Sequence, residues 1–284
     1  MALLDHIKLI RVKQWYKNLV VFLAIFFAGE VFNFELLSIT LVAFIALCFM
    51  SSVNYILNDL RDVKEDRLHP DRKLRPLASG NISNLRAIVL AVILFILSIS
   101  VSLYVSYKFL AILLAFFLLT QIYTFYLKNI LFADILTIAS LFVIRAVSGA
   151  YAIGVIISPW LILCPFFLAL FLAACKRYAN VLLLGKNAMK TKFVLKNYTL
   201  DLTKTLMIIS TILLIMSYSL YSFLSIYNKL LLSLPFALFV MFRYYYLVTS
   251  GFNIGREPQK AFRDWPIVVG MILWVLVVFG LIYV

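Results

Sequence analysis

Asn58, Asp62 and Asp66 recur at four-residue intervals where an apolar stretch runs into N-Y-I-L-N-D-L-R-D-V-K-E-D-R-L-H-P-D-R-K-L-R-P-L-A-S-G, residues 54–80. If the chain stays helical to about Arg67, these side chains project from one face, and Asp59, three residues before Asp62, borders it. Carboxylates stacked in this way repel unless something positive lies between them. A hard divalent cation suits the place, because magnesium takes one or two carboxylates and completes its shell with water and phosphate oxygens. The plainer alternative is charge pairing, with Arg61, Lys64 and Arg67 neutralising the same acids. Scarcity argues against it: the chain has 12 Asp and Glu, and five of them fall between Asp59 and Asp71.

Behind the acids comes a Pro- and Gly-punctuated loop carrying Arg72, Lys73 and Arg75. Basic side chains after metal-binding carboxylates suit a substrate with more negative charge than one magnesium neutralises. The alternative is a loop that is basic only because it faces the cytoplasm. Two further charges are conspicuous. Arg145 falls inside an apolar run, where an ionisable residue is costly and marks a functional candidate. Asp134 lies on the same run, but eleven residues of helix separate the two by roughly 16 Å, so they cannot pair directly.

The elements that must hold these residues are membrane helices. Of 284 residues, 65% are hydrophobic and 13% charged, an apolar excess that one soluble core cannot hide. The net charge of +14 is therefore not the mark of a nucleic-acid binder, and no nucleic-acid partner is expected. A span needs about 20 apolar residues. Runs at 36–58, 87–107, 109–127, 205–228 and 265–284 qualify. Gly154, Ser158 and Pro159 divide a longer run into spans of about 131–153 and 160–175. Less regular segments at about 18–35 and 230–249 bring the number to nine. With the N-terminus inside, 23 of the 26 Lys and Arg fall in inner segments. That asymmetry puts the N-terminus in the cytoplasm, the C-terminus outside and the acidic motif on the cytoplasmic side. Residues 1–14 read as an amphipathic interfacial helix, not a cleavable signal, since charged residues precede an apolar stretch with no small-residue cleavage site. Residues 58–84 and 176–203 read as the two main cytoplasmic loops of a single all-α domain. Cys48, Cys164 and Cys175 each sit in apolar surroundings and suggest no disulfide or metal framework.

The N-x-x-x-D-x-x-x-D signature at the cytoplasmic end of span 2 of nine resembles that of the UbiA superfamily of intramembrane prenyltransferases. R-V-K-Q-W-Y-K-N at Arg11–Asn18, N-D-L-R-D-V-K-E-D-R-L-H-P at Asn58–Pro70, F-V-I-R-A-V-S-G at Phe142–Gly149, K-R-Y-A-N at Lys176–Asn180 and V-L-K-N-Y-T at Val194–Thr199 resemble its decaprenyl-phosphate phosphoribosyltransferase branch. The resemblance spans essentially the whole chain. It implies a UbiA-type helical bundle, magnesium held by Asn58, Asp59, Asp62 and Asp66, and catalysis centred on Asp59, Asp62 and Asp66. The chain departs from the usual prenyltransferase pattern in one respect. Members that ionise an allylic diphosphate carry a second acidic motif between spans 6 and 7, whereas the stretch after Cys175 holds no acid until Asp201. Such a basic loop cannot hold a second magnesium but can hold a phosphate through Lys176, Arg177 and Lys190.

The reaction implied is transfer of 5-phosphoribose from phosphoribosyl pyrophosphate to a polyprenyl phosphate. Candidates for substrate contact are Lys17, Asn18, Tyr55, Arg61, Arg72, Lys73, Arg75, Lys128, Asp134, Arg145, Lys176, Arg177 and Tyr198, with interfacial anchoring the alternative for the tyrosines. Rival readings are prenyl transfer from a diphosphate to a small acceptor and a non-catalytic transporter or scaffold. The sequence leaves lipid length and oligomeric state open, a homo-oligomer included.

Overall fold

The computed structural model describes residues 2–68, 72–184, 193–227 and 229–284, and among these every regular element is helical. His69, Asp71 and Lys190 lie outside the described residues. The α-helices are α1 (Ala2–Leu9), α2 (Leu23–Phe27), α3 (Phe34–Leu68), α4 (Asn84–Val105), α5 (Tyr107–Phe125) and α6 (Ala133–Ile153), followed by α7 (Pro159–Leu184), α8 (Leu200–Leu224), α9 (Leu234–Thr249) and α10 (Trp265–Tyr283). Among the described residues eight helical stretches, α3 to α10 with α9 extended back to Leu230, are long and apolar enough to cross a membrane. The ninth expected span, about 18–35, is not among them: its residues fall in the end of a 3-10 helix, Val12–Phe22, in the five-residue α2 and in the turns before α3.

Local chemistry sets the boundaries. Ser106 alone separates α4 from α5; its extended backbone breaks the helix while its hydroxyl accepts the Phe109 N–H. Ser83, Thr199 and Asp264 cap α4, α8 and α10 in the same way. Gly154, at φ 73°, ends α6, and Pro159 opens α7, so the long apolar run divides where its turn residues predict. Helix α7 then continues past Cys175 to Leu184, because nothing in A-A-C-K-R-Y-A-N-V-L-L-L breaks it. Lys176 and Arg177 are therefore helical rather than in a loop.

Two compact units share the chain. Met1–Tyr126 with Ile144–Ile157 form the first, in which α3 packs most extensively on α4 and also on α5 and the 3-10 segment. Gly149 of α6 meets that segment so closely that a Cβ there would stand 2.0 Å from the Val21 carbonyl oxygen. The second unit is Leu127–Val143 with Ser158–Val284, where α7 packs along α8 and α9 along α10. Phe171, Cys175, Tyr178, Met207 and Tyr244 are among its core side chains.

Candidate active site

Helix α3 carries the acidic motif, and its length explains the motif's setting. Thirty-five residues extend roughly 50 Å, well beyond the roughly 30 Å of hydrocarbon, so its last turns project past the apolar layer. There Asp59 and Asp66, seven residues and two turns apart, face the same way and are 3% and 1% exposed. Arg75 joins them: one guanidinium nitrogen donates to Asp59 Oδ1 at 3.0 Å and to Asp66 Oδ2 at 2.6 Å. Arg11 donates to the same Asp59 oxygen at 2.5 Å and lies over the Tyr55 ring at 4.7 Å. Arg72 stands 3.6 Å from Asp66 Oδ1, a buried oxygen with no hydrogen-bond partner. Asn58 and Asp62 are half-buried on the same helix, and Lys73 is exposed.

The cations that meet Asp59 and Asp66 are thus Arg11, Arg72 and Arg75. Arg61 follows Asp59 by two residues and so points to the other side of α3. It donates to the Thr124 and Phe125 carbonyls and stacks on the Phe125 ring, which makes it a strap to the end of α5. Arg67 donates to the Ala78 carbonyl. Arg11 was legible only as one more inner positive charge; the signal that could have singled it out is its place in R-V-K-Q-W-Y-K-N.

Deeper along α3 the first unit holds Asn18, whose Oδ1 accepts Arg145 Nε at 2.9 Å and Ser51 Oγ at 3.2 Å. The buried Arg145 guanidinium lies over Phe116 at 4.5 Å. Lys17 is half-buried next to Asn18 in sequence. Asn54, missed by sequence reasoning, accepts from Gln121 at 2.6 Å and keeps a buried amide nitrogen with no hydrogen-bond partner.

In the second unit Asp134, wholly buried, accepts Arg177 Nε at 2.8 Å and Nη2 at 2.6 Å, and the Tyr198 hydroxyl at 2.7 Å. Tyr198 in turn accepts the N–H of Phe132, a residue with φ 64°. Burial, then the hydrogen bond to Asp134 and its charge, push the Tyr198 phenol well above the usual tyrosine range. Asp134, Arg177 and Tyr198 are therefore one another's partners. Lys176 is exposed on the adjacent position of α7, and Lys128 is half-buried in a short 3-10 turn.

The acidic cluster suits magnesium by the chemistry of its donors. All are hard oxygens, and the unsatisfied Asp66 Oδ1 is an acceptor that burial makes costly to leave empty. Among the described residues no three His, Cys, Asp or Glu side chains gather closely enough to hold a metal alone. Asp59, Asp62 and Asp66, expected to share one magnesium, are therefore not brought together as a set; the structure joins Asp59 and Asp66.

Residues 18–193 match the UbiA prenyltransferase family. The chain is 32% identical to a decaprenyl-phosphate phosphoribosyltransferase of Corynebacterium glutamicum, over 98% of this chain and 86% of that one. It is 34% identical to one of Mycolicibacterium smegmatis, over 76% and 70%. Its fold is similar to that of a UbiA homolog from Archaeoglobus fulgidus bound to GPP and Mg2+, with TM-score 0.71, 17% identity and coverage of 99% and 100%.

Proposed function

The chain belongs to the UbiA prenyltransferase family of membrane transferases, and from that premise we propose that it transfers 5-phosphoribose from phosphoribosyl pyrophosphate to a polyprenyl phosphate. The observation that carries this reading is the meeting of Asp59 and Asp66 with three guanidinium groups at the end of α3. Carboxylates beside a surplus of arginine form a place for a metal-bound polyanion, which a phosphoribosyl pyrophosphate donor is. Two further supports are the relatives named decaprenyl-phosphate phosphoribosyltransferase, aligned over most of the chain, and the absence of a second acidic motif before Asp201.

Asp59 and Asp66 would hold the magnesium, with Asn58 and Asp62 on the same helix as the further candidates, and its chemistry when bound is to neutralise charge building on a departing pyrophosphate. Arg11, Arg72 and Arg75 bind the donor's phosphate oxygens, and Lys73 adds charge at the entrance. A phosphate oxygen of the lipid attacks the anomeric carbon. The bond from that carbon to pyrophosphate breaks, and its electron pair leaves with the pyrophosphate. The attacking oxygen is already ionised at neutral pH, so no general base is needed, and the chain's two histidines are no obstacle. Positioning and electrostatics supply the rate, with Tyr55 and the Asn18–Arg145 pair placed to orient substrate. Lys17, Lys128 and Lys176 are further candidates for phosphate contact, while Asp134, Arg177 and Tyr198 fix α6, α7 and the segment before α8. The N-terminus is cytoplasmic, the C-terminus outside, and the reaction takes place at the cytoplasmic face.

The test is to incubate membranes containing the chain with phosphoribosyl pyrophosphate, magnesium and polyprenyl phosphates of several lengths. Mass spectrometry should find a lipid heavier by one phosphoribosyl group, and a chelator should abolish it. No such product with any lipid refutes the reading.

A further inference from the structure

We infer that Arg11 and Arg75 hold Asp59 and Asp66 in place of a metal and move to the anion when it arrives, so that metal and phosphate donor bind together rather than one after the other. The inference deepens the reading above and rests on it.

Four observations carry it. First, the oxygens a metal would use are occupied by arginine: Asp59 Oδ1 accepts from both Arg11 and Arg75, and Asp66 Oδ2 from Arg75. Second, the charges of this contact network are already more than balanced. Two buried carboxylates meet three partly exposed guanidinium groups, so a bare divalent ion would add two positive charges to a contact network that already carries a surplus of one. A metal carrying a diphosphate brings its own negative charge, and the displaced arginines then gain phosphate oxygens as partners.

Third, Arg11 is held ready. Its φ of 53° is the left-handed region, costly for a residue with a side chain. The backbone around it is pinned to α3, since Ser52 Oγ donates to the Ile10 carbonyl at 2.8 Å and accepts Trp15 Nε1 at 3.1 Å. With its root fixed, a move of Arg11 from Asp59 to an anion falls to its side chain alone. Fourth, Asp66 Oδ1 is buried without a hydrogen-bond partner, so the arginines do not satisfy the cluster fully and one position still awaits a ligand.

Manganese(II) and inorganic pyrophosphate are suitable probes in equilibrium dialysis of the detergent-solubilised chain, bound manganese being counted with and without pyrophosphate. The wild-type chain should retain manganese at least ten-fold more tightly when pyrophosphate is present, after correction for the complex the two form in solution. Arg11→Gln and Arg75→Gln should each bind manganese alone at least ten-fold more tightly than wild type and lose most of the pyrophosphate effect. Arg11→Lys and Arg75→Lys, which keep the charge, should stay close to wild type. Equal manganese affinity with and without pyrophosphate in the wild-type chain overturns the inference whether or not the Gln variants fold, and so do Gln variants that bind like wild type. Loss of the coupling in a chain that still transfers phosphoribose removes this inference alone; failure of the wild-type chain to transfer phosphoribose removes the reading beneath it.

Discussion

Arg177→Met separates a structural charge from a substrate-binding one. Arg177 is 3% exposed and donates twice to Asp134, which is 0% exposed and also receives the Tyr198 hydroxyl. Taking away the guanidinium leaves a carboxylate buried with one neutral donor. Breaking a buried pair from one side costs about 3–5 kcal/mol, because the remaining charge is uncompensated. Asp134→Asn in the same chain removes that charge, so the double variant should be roughly 2 kcal/mol more stable than Arg177→Met alone. Denaturant titration in detergent, followed by circular dichroism with the wild-type chain and both variants in one buffer, reads both numbers. If Arg177→Met keeps its stability while its KM for polyprenyl phosphate rises ten-fold or more, the guanidinium serves the lipid rather than the fold.

Asp62→Asn and Asp66→Asn should each lower phosphoribosyl transfer by about a hundred-fold or more and shift the magnesium requirement upward, checked by initial rates across a metal titration. Gly149→Ala places a Cβ 2.0 Å from the Val21 carbonyl oxygen, so the 3-10 segment must shift. The expected cost is about 1–3 kcal/mol of stability, with a lower kcat because Asn18 moves relative to Arg145. The Tyr198 phenol, raised in the folded chain above its unfolded value near 10, contributes stability that is present below about pH 10 and lost as pH rises through the folded value. Melting curves should show that alkaline loss, and Tyr198→Phe should flatten it.

Much of the bundle was legible because its signals are local or additive. Apolar runs mark the spans, and the Gly154–Pro159 turn divides the longest run where α6 gives way to α7. The acidic motif was legible as a helical stretch, but its four-residue series Asn58, Asp62 and Asp66 did not single out the pair that Arg75 joins, Asp59 and Asp66, seven residues apart. Partners distant in sequence were not legible: no spacing joins Arg11 to Asp59, or Asp134 to both Arg177 and Tyr198, because such pairs depend on how helices pack. The 3-10 geometry of Val12–Phe22 was equally hidden, as an apolar run carries no sign of whether its hydrogen bonds close over three residues or four.

Donor identity is the sharpest measurement. Purified chain should be offered labelled phosphoribosyl pyrophosphate with a polyprenyl phosphate, and separately a labelled polyprenyl diphosphate with small aromatic acceptors, each with magnesium. The expected result is label entering lipid from phosphoribosyl pyrophosphate, with one pyrophosphate released per lipid formed and no transfer from the prenyl diphosphate. Transfer from the prenyl diphosphate, with none from phosphoribosyl pyrophosphate, would contradict the proposed function.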